Sequence, residues 1–383
     1  MIYLDYAANT PADPAVLRCL CETEQHYCGN PNARHAAGRA AAARLAEITQ
    51  SVAGLLGASP EEVIFTSGAS EANNLALQGM AYANRDVGRH ILTTPLEHGS
   101  VSACLEALQR QGWQVEQLHL AADGRVDLQD LAARLRPDTV LVAVSAVDSE
   151  LGVVQPVQEI ARLLRGWPQC RLHVDATQAV GKLPVTFAGA DTMSLTAHKF
   201  YGPVGVGVLL KRGRAALQPL IYGGASTTPW RSGTPTLALA AGLEAALRQA
   251  AEQCAARTAA VQAHNAVLRR RLAARPGVQL NSPPQASPYI LNLSVQGVRG
   301  PRFQRALDEE GVCVSVRSAC AAQGQPSAAV LAVTGDARRA LCSWRISLSH
   351  LTTEEEIRGF LQAFDACCSR LLPPRTAQNG GNA

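Results

Sequence analysis

Short apolar, β-branched runs alternate with helix-forming stretches through the first half of this chain, and that alternation restricts its fold more than any other feature. Val63-Ile64-Phe65-Thr66, residues 91–94, Val140-Leu141-Val142-Ala143-Val144, Arg171-Leu172-His173-Val174, residues 192–195 and residues 206–210 read as strands. Helical stretches lie between them, one near Val157–Leu164. Strands that stay apolar on both faces and are separated by helices predict an α/β fold, with a mostly parallel sheet covered by helices. An Ala-rich helix is expected over about 38–56, stopped by Gly57. From about 240 to 274 the pattern becomes long and helical and leads out of this layer. Strands near 289–294, 312–316 and 345–348, mixed with helices, predict a smaller α+β domain. A chain of 383 residues is too long for one simple core. The expected division is a large domain over 13–255 and a small one from 1–12 with 256–374, followed by a polar, Gly/Asn-rich tail over 375–383 expected to be disordered.

Composition narrows the function classes. The formal charge of +4 is too small and too dispersed to argue for nucleic acid, and Arg269-Arg270-Arg271 reads as the solvated face of a helix. The 11 cysteines lack zinc-type spacing, so no metal site is expected. No charged n-region and apolar h-region opens the chain, and no apolar stretch is long enough to span a membrane. Free thiols in a reducing cytoplasm are therefore expected.

The chemistry concentrates after the strands. Lys199 lies in Ala197-His198-Lys199-Phe200-Tyr201-Gly202-Pro203, and Asp175 ends a strand. A lysine can form a Schiff base with an aldehyde, and a carboxylate can hold a pyridine nitrogen protonated, which is what a pyridoxal phosphate (PLP) site needs. Gln178, three residues after Asp175, can reach a ring substituent. Taken singly, the lysine reads as a surface charge and the aspartate as a helix cap. The run Ser67-Gly68-Ala69-Ser70-Glu71 opens a helix, where small residues let backbone N–H groups approach an anion. Ser70 adds a hydroxyl, and Thr196 and His198 are further phosphate donors; an ordinary N-cap is the plainer alternative. His98 can stack on a PLP ring and move protons, or can be structural. Ligands of parallel sheets bind beyond the strand carboxyl ends, so these residues are expected in one crevice.

Cys320 lies among small, polar residues in Ser318-Ala319-Cys320-Ala321-Ala322-Gln323-Gly324, which reads as an exposed loop able to carry a thiol to a substrate and away again. Cys104, Cys254 and Cys342 read as small core residues. Arg345 is a charge within a short strand and asks for a partner. A substrate carboxylate or a structural salt bridge would serve it equally.

These blocks, with Tyr3-Leu4-Asp5-Tyr6-Ala7-Ala8 at one end and Thr352-Thr353-Glu354-Glu355-Glu356-Ile357 at the other, resemble the NifS/IscS-type cysteine desulfurases in order and spacing over nearly the whole chain. Those are class V, fold-type I PLP enzymes. The resemblance implies that Lys199 holds PLP as a Schiff base and later moves protons. It implies that Asp175 pairs with the pyridine nitrogen, Gln178 contacts the ring oxygen, and His98 stacks on the ring. Ala69, Ser70, Thr196 and His198 would hold the phosphate, with Thr234 reaching in from a second subunit of a homodimer. Arg345 would bind the carboxylate of L-cysteine. Cys320 would take the sulfur as a persulfide, releasing L-alanine, and pass it to a protein acceptor such as an iron–sulfur scaffold or a thiolation protein.

One departure falls inside the site. Asp148-Ser149-Glu150 stands where the family has Asn-Asn-Glu. The second Asn touches the ring oxygen and the substrate carboxylate; Ser149 is shorter and lacks the amide, which implies weaker substrate binding or a shifted preference. Asp148 adds a possible negative charge. A PLP lyase on selenocysteine, cystine or a related β-substituted amino acid stays open, as does a PLP-binding partner of a sulfur-transfer complex.

Overall fold

A computed structural model describes residues 1–224, 228–316 and 325–372. The chain opens with strand β1 (Ile2–Tyr3) and helices α1 (Pro14–His26) and α2 (Ala36–Leu56). Asp13 caps α1 by accepting from the Ala15 amide, and Gly57 ends α2 in the left-handed conformation. Strands β2 (Val63–Thr66), β3 (His90–Thr93), β4 (Gln114–Gln117), β5 (Thr139–Ser145), β6 (Arg171–Asp175), β7 (Thr192–Thr196) and β8 (Gly207–Lys211) form one sheet in the order β2-β8-β7-β6-β5-β3-β4. Helices α3 (Ala69–Ala83), α4 (Gly99–Arg110), α5 (Leu128–Arg134) and α6 (Val157–Leu164) connect the strands. The run from β4 to β7 is parallel, and β8 is antiparallel to both β7 and β2. All seven residues of β5 are buried, as a central strand covered on both faces requires.

Helix α7 (Leu237–Ala273) has 37 residues and is about 55 Å long at the usual helical rise. Its first half, through Ala250, packs with the sheet's core, whereas Val261, Leu268 and Leu272 belong to a second apolar cluster. That cluster covers β9 (Val278–Leu280), β10 (Ile290–Val295) and β12 (Ser343–Ser347), an antiparallel sheet in the order β12-β10-β9. Helices α8 (Gly300–Glu309), α9 (Ala328–Thr334), α10 (Ala337–Leu341) and α11 (Glu354–Leu371) accompany it. Strand β11 (Val312–Cys313) pairs in parallel with β1, so the N-terminus joins the C-terminal layer. Leu4 and Ala7 sit in the same cluster.

The strand expected over 312–316 is hydrogen-bonded as β11 only at Val312–Cys313, with Ser315 making an isolated bridge to Arg345. Cys104 is buried as expected, but Cys254 and Cys342 are half-buried. Arg269 is not simply solvated: it is half-buried and donates to the carbonyls of Ser282 and Pro283, while Arg270 and Arg271 are exposed. Cys320 and the tail over 375–383 lie outside the described residues. Among the described residues, no His/Cys/Asp/Glu cluster that could hold a metal occurs, and no helix is long and apolar enough to cross a membrane.

Candidate active site

Parallel strands deliver their last residues to one edge, and register aligns them. Ser145 of β5 lies opposite Asp175 of β6, which lies opposite Ser194 of β7. Beyond that edge is a cavity of about 410 Å³. Ala69, Ser70, His98, Ser149, Asp175, Gln178, Thr196, His198, Lys199 and Arg345 all line it, so ten of the site residues expected from sequence converge. Thr234 does not line it and is exposed, on a segment tied to α3 by the Arg231–Glu71 ion pair at 2.9 Å.

Lys199 follows β7 in a single tight turn, Ala197–Lys199. Its Nζ donates to the carbonyls of Ala8 at 2.6 Å and Ala7 at 3.0 Å. Those carbonyls reach the site because the N-terminal strand crosses from the C-terminal layer. Thr10 fastens the crossing: its amide and hydroxyl both donate to the His198 carbonyl, and its Oγ1 accepts from the Tyr201 amide. Tyr201 has φ of 69°, the only positive φ outside glycine among the described residues. A bulky residue tolerates that region only when its surroundings hold it there. The Thr10 bond and a 2.6 Å hydroxyl contact with Ser349 do so, two residues from Lys199.

Asp175 is 5% exposed. Its Oδ1 accepts from the Thr177 amide and its Oδ2 from Nδ2 of Asn73, both at 2.9 Å. Asn73 is fully buried, and its four hydrogen-bonding positions are all used. Nδ2 also donates to Ser100 Oγ, while Oδ1 accepts from Ser194 Oγ and contacts His173 Nε2 at 3.1 Å. Burial holds His173 well below the usual histidine range, so it is neutral, with Nε2–H facing Asn73 and Nδ1 facing the Thr192 hydroxyl.

His98 caps α4, and its Nδ1 accepts from the Ser100 amide at 3.1 Å. Burial lowers its pKa, helped by Lys199 and Arg345 and opposed by Asp175. A neutral ring with Nδ1 accepting carries its proton on Nε2. The neighbouring Glu97 anchors this corner to β5. It accepts from the Ser145 amide at 3.0 Å and hydroxyl at 2.7 Å, and burial raises its carboxyl to about 7.

Elsewhere on the cavity wall, α3 begins at Gly68 with no side-chain cap, and Ser67, Gly68, Ala69, Ser70 and Glu71 all line the space. A Cβ built on Gly207 would lie 2.7 Å from Cα of Gly68 and 2.6 Å from the Leu195 carbonyl oxygen. Glycine at 207 thus lets this loop lie flat on the sheet edge, next to Thr196 and His198. Burial, reinforced by Lys199 and Lys182, depresses His198 to about 4.

Arg345 is 2% exposed. One terminal nitrogen donates to the Ser149 carbonyl at 2.7 Å and the other to Asp5 at 2.9 Å. Its Nε is buried with no partner among the described residues. Asp148 is 1% exposed, and its carboxylate turns into its own loop, accepting from the amides of Glu150 and Leu151. Burial and Glu150 raise it to about 7 despite those bonds and Arg345. The charge expected beside the substrate is therefore only partial near neutral pH, and only Ser149 of the pair lines the cavity.

This lining suits PLP on physical grounds. A buried carboxylate and an amine line it, and the start of α3 with the Ser70 hydroxyl forms an anion corner, while the Thr196 hydroxyl beside it donates to the Val206 carbonyl at 3.0 Å. Sequence reasoning gave no role to Asn73, to Lys182, or to the carbonyls of Ala7 and Ala8. Asn73 carried a signal: it is a polar residue on the face of α3 that buries Ala72, Ala76, Leu77 and Met80. The carbonyls carried none, because they depend on the N-terminal crossing.

The aminotransferase class-V family model matches residues 2–360. The cysteine desulfurase IscS of Proteus mirabilis is 38% identical over 379 residues, covering 97% of this chain and 93% of that protein. Among solved structures, a NifS-like protein aligns with a TM-score of 0.91 at 32% identity, over 97% of this chain and 100% of the other. A structure described as SspA in complex with cysteine aligns with a TM-score of 0.81 at 30% identity, over 92% and 100% of the two chains. The chain belongs to the class-V aminotransferase family and, within it, to the NifS/IscS-type cysteine desulfurases.

Proposed function

We propose that this protein is a PLP-dependent cysteine desulfurase that converts L-cysteine to L-alanine and loads the sulfur on Cys320. The observation that carries the reading is the convergence of Lys199, Asp175, His98, Arg345 and the start of α3 on one cavity. PLP, when bound, supplies an electron sink for bond-breaking at an amino acid. Lys199 would hold it and shuttle protons, Asp175 would keep its ring nitrogen protonated, and Gln178 would donate to its ring oxygen. His98 would lie on its ring with Nε2–H free to donate. Ala69, Ser70, Thr196 and His198 would hold its phosphate, joined by Thr234 of a second subunit in a homodimer.

Arg345 would orient L-cysteine. Its two terminal nitrogens, which hold the Ser149 carbonyl and Asp5, would turn to that carboxylate in a bidentate pair. Ser149 would lie beside that carboxylate. Cys320 would accept the sulfur as a soft thiolate, and the persulfide would pass to a protein acceptor, an iron–sulfur scaffold or a thiolation protein, in the cytoplasm. We read residues 13–255 as the large domain and 1–12 with 256–374 as the small one, in keeping with the two apolar clusters.

The test is turnover. With PLP and L-cysteine the protein should release alanine and sulfide in the presence of a thiol. Lys199→Ala should abolish both, and Cys320→Ala should abolish sulfur transfer while leaving the visible absorption of the cofactor. Persistent β-elimination in Cys320→Ala would instead favour a lyase that frees its product directly.

A further inference from the structure

Lys182 is a buried ionisable side chain that the reading above leaves unused. It is 5% exposed, and its Nζ lies 6.0 Å from the centre of the Tyr289 ring. Nζ donates to Oε1 of Gln178 at 2.6 Å. The other end of that amide, Nε2, donates to the Ala7 carbonyl at 2.9 Å, and the same carbonyl accepts from Lys199 Nζ at 3.0 Å. Polarity fixes the amide's direction. The Ala7 carbonyl can only accept, so Nε2 must face it, and Oε1 then turns to the amine of Lys182. Nε2 keeps a second hydrogen for the cavity that Gln178 lines.

The backbone supports the clamp. Gly181 has φ of 76°, and a Cβ there would lie 2.7 Å from Cβ of Phe200, so the turn carrying Lys182 is pressed against the residue after Lys199. Thr258 holds the Lys182 carbonyl with a 2.7 Å hydrogen bond.

We infer that Lys182 is a positioning residue for the cofactor: by engaging Oε1 of Gln178, it presents that residue's N–H edge to the ring oxygen of PLP. The inference rests on the PLP reading above. It explains why a lysine is buried beside other cations. Burial, together with Lys199 and Arg345, draws Lys182 down to about 7. A neutral amine still donates, so the clamp works on both sides of that titration.

Equilibrium titration of PLP into the cofactor-free wild type, Lys182→Met and Lys182→Gln tests this, with thermal unfolding of each cofactor-free protein alongside. Methionine fills the space without a donor, and glutamine restores one. Lys182→Met should bind PLP about tenfold more weakly, the cost of one buried hydrogen bond, with a shifted visible band. Lys182→Gln should recover most of the affinity, and the cofactor-free melting temperatures should stay close. Equal affinity and an unchanged band in Lys182→Met would overturn the inference, as would equal losses in both variants. If Lys182→Met fails to fold, the Gln178 side-chain NH2 signals of the wild type decide. Protection from solvent and a shift on adding PLP support the clamp, and free exchange with no shift overturns it. A wild type that binds no PLP would overturn the underlying reading, a result separable from all of these.

Discussion

Asn73 Nδ2 donates to Asp175 Oδ2 at 2.9 Å and to Ser100 Oγ at 2.8 Å, which itself contacts His98 Nδ1 at 2.9 Å. One buried amide on α3 therefore ties the carboxylate at the end of β6 to the imidazole at the start of α4. Because a carboxylate can only accept, Nδ2 must face Asp175. That choice propagates to Ser194 and His173 on the other side of the amide.

Replacing this hub should be costly. Asn73→Ala strands several buried partners at once, and each unsatisfied group costs roughly 1–3 kcal/mol. Denaturant unfolding of the cofactor-free protein should show a loss of about 3 kcal/mol or more. PLP affinity should fall as well, because Asp175 loses its orientation. A variant as stable as the wild type would show that the network contributes nothing.

Arg345→Lys separates substrate binding from cofactor binding. A lysine keeps the charge but has only three donors on one atom and no planar fork, too few to hold Ser149, Asp5 and a bidentate carboxylate at once. Steady-state kinetics should show the KM for L-cysteine raised roughly tenfold to a hundredfold, the range of a lost charged hydrogen bond. The visible spectrum should not change. An unaltered KM would leave Arg345 a structural salt bridge to Asp5.

Ser149→Asn restores a side-chain amide to a position on the cavity wall. The longer side chain should reach the substrate carboxylate beside Arg345 and lower the KM for L-cysteine several-fold, as one added hydrogen bond would. An unchanged or higher KM would mean that this site holds its substrate without help from position 149.

Asp148 makes stability depend on pH with a definite sign. Its folded pKa, about 7, lies above its ordinary value of 3.8, so the folded state binds the extra proton between them. The contribution is therefore complete below the ordinary value and is lost as pH rises through about 7. Asp148→Asn removes this dependence. Its melting temperature relative to wild type should be more favourable at about pH 8 than at about pH 5. A difference independent of pH would show that the carboxylate is not strained by burial.

The sheet was legible because its strands are apolar runs. Residues 63–66 and the helix at 157–164 are found where sequence places them, and β5 exceeds its expected range by one residue at each end. β4 carries no apolar signal, because Gln114-Val115-Glu116-Gln117 is a polar edge strand, exposed at both ends. The antiparallel turn of β8 onto β2 and β7 leaves no mark in an apolar run. At the site, residues defined by their own chemistry, such as Lys199, Asp175 and Arg345, were readable. Those defined by geometry were not. Lys182 matters through one end of Gln178, and Asp148 points into its loop rather than the cavity, a distinction that only folded coordinates make.

Sulfur transfer to Cys320 is read by mass analysis of the purified, PLP-loaded protein after brief exposure to L-cysteine without a reducing thiol. One added sulfur on the peptide carrying Cys320, with an equal amount of alanine released, is the expected result. Sulfur spread evenly over the other cysteines, or alanine formed with no sulfur on Cys320, would contradict it.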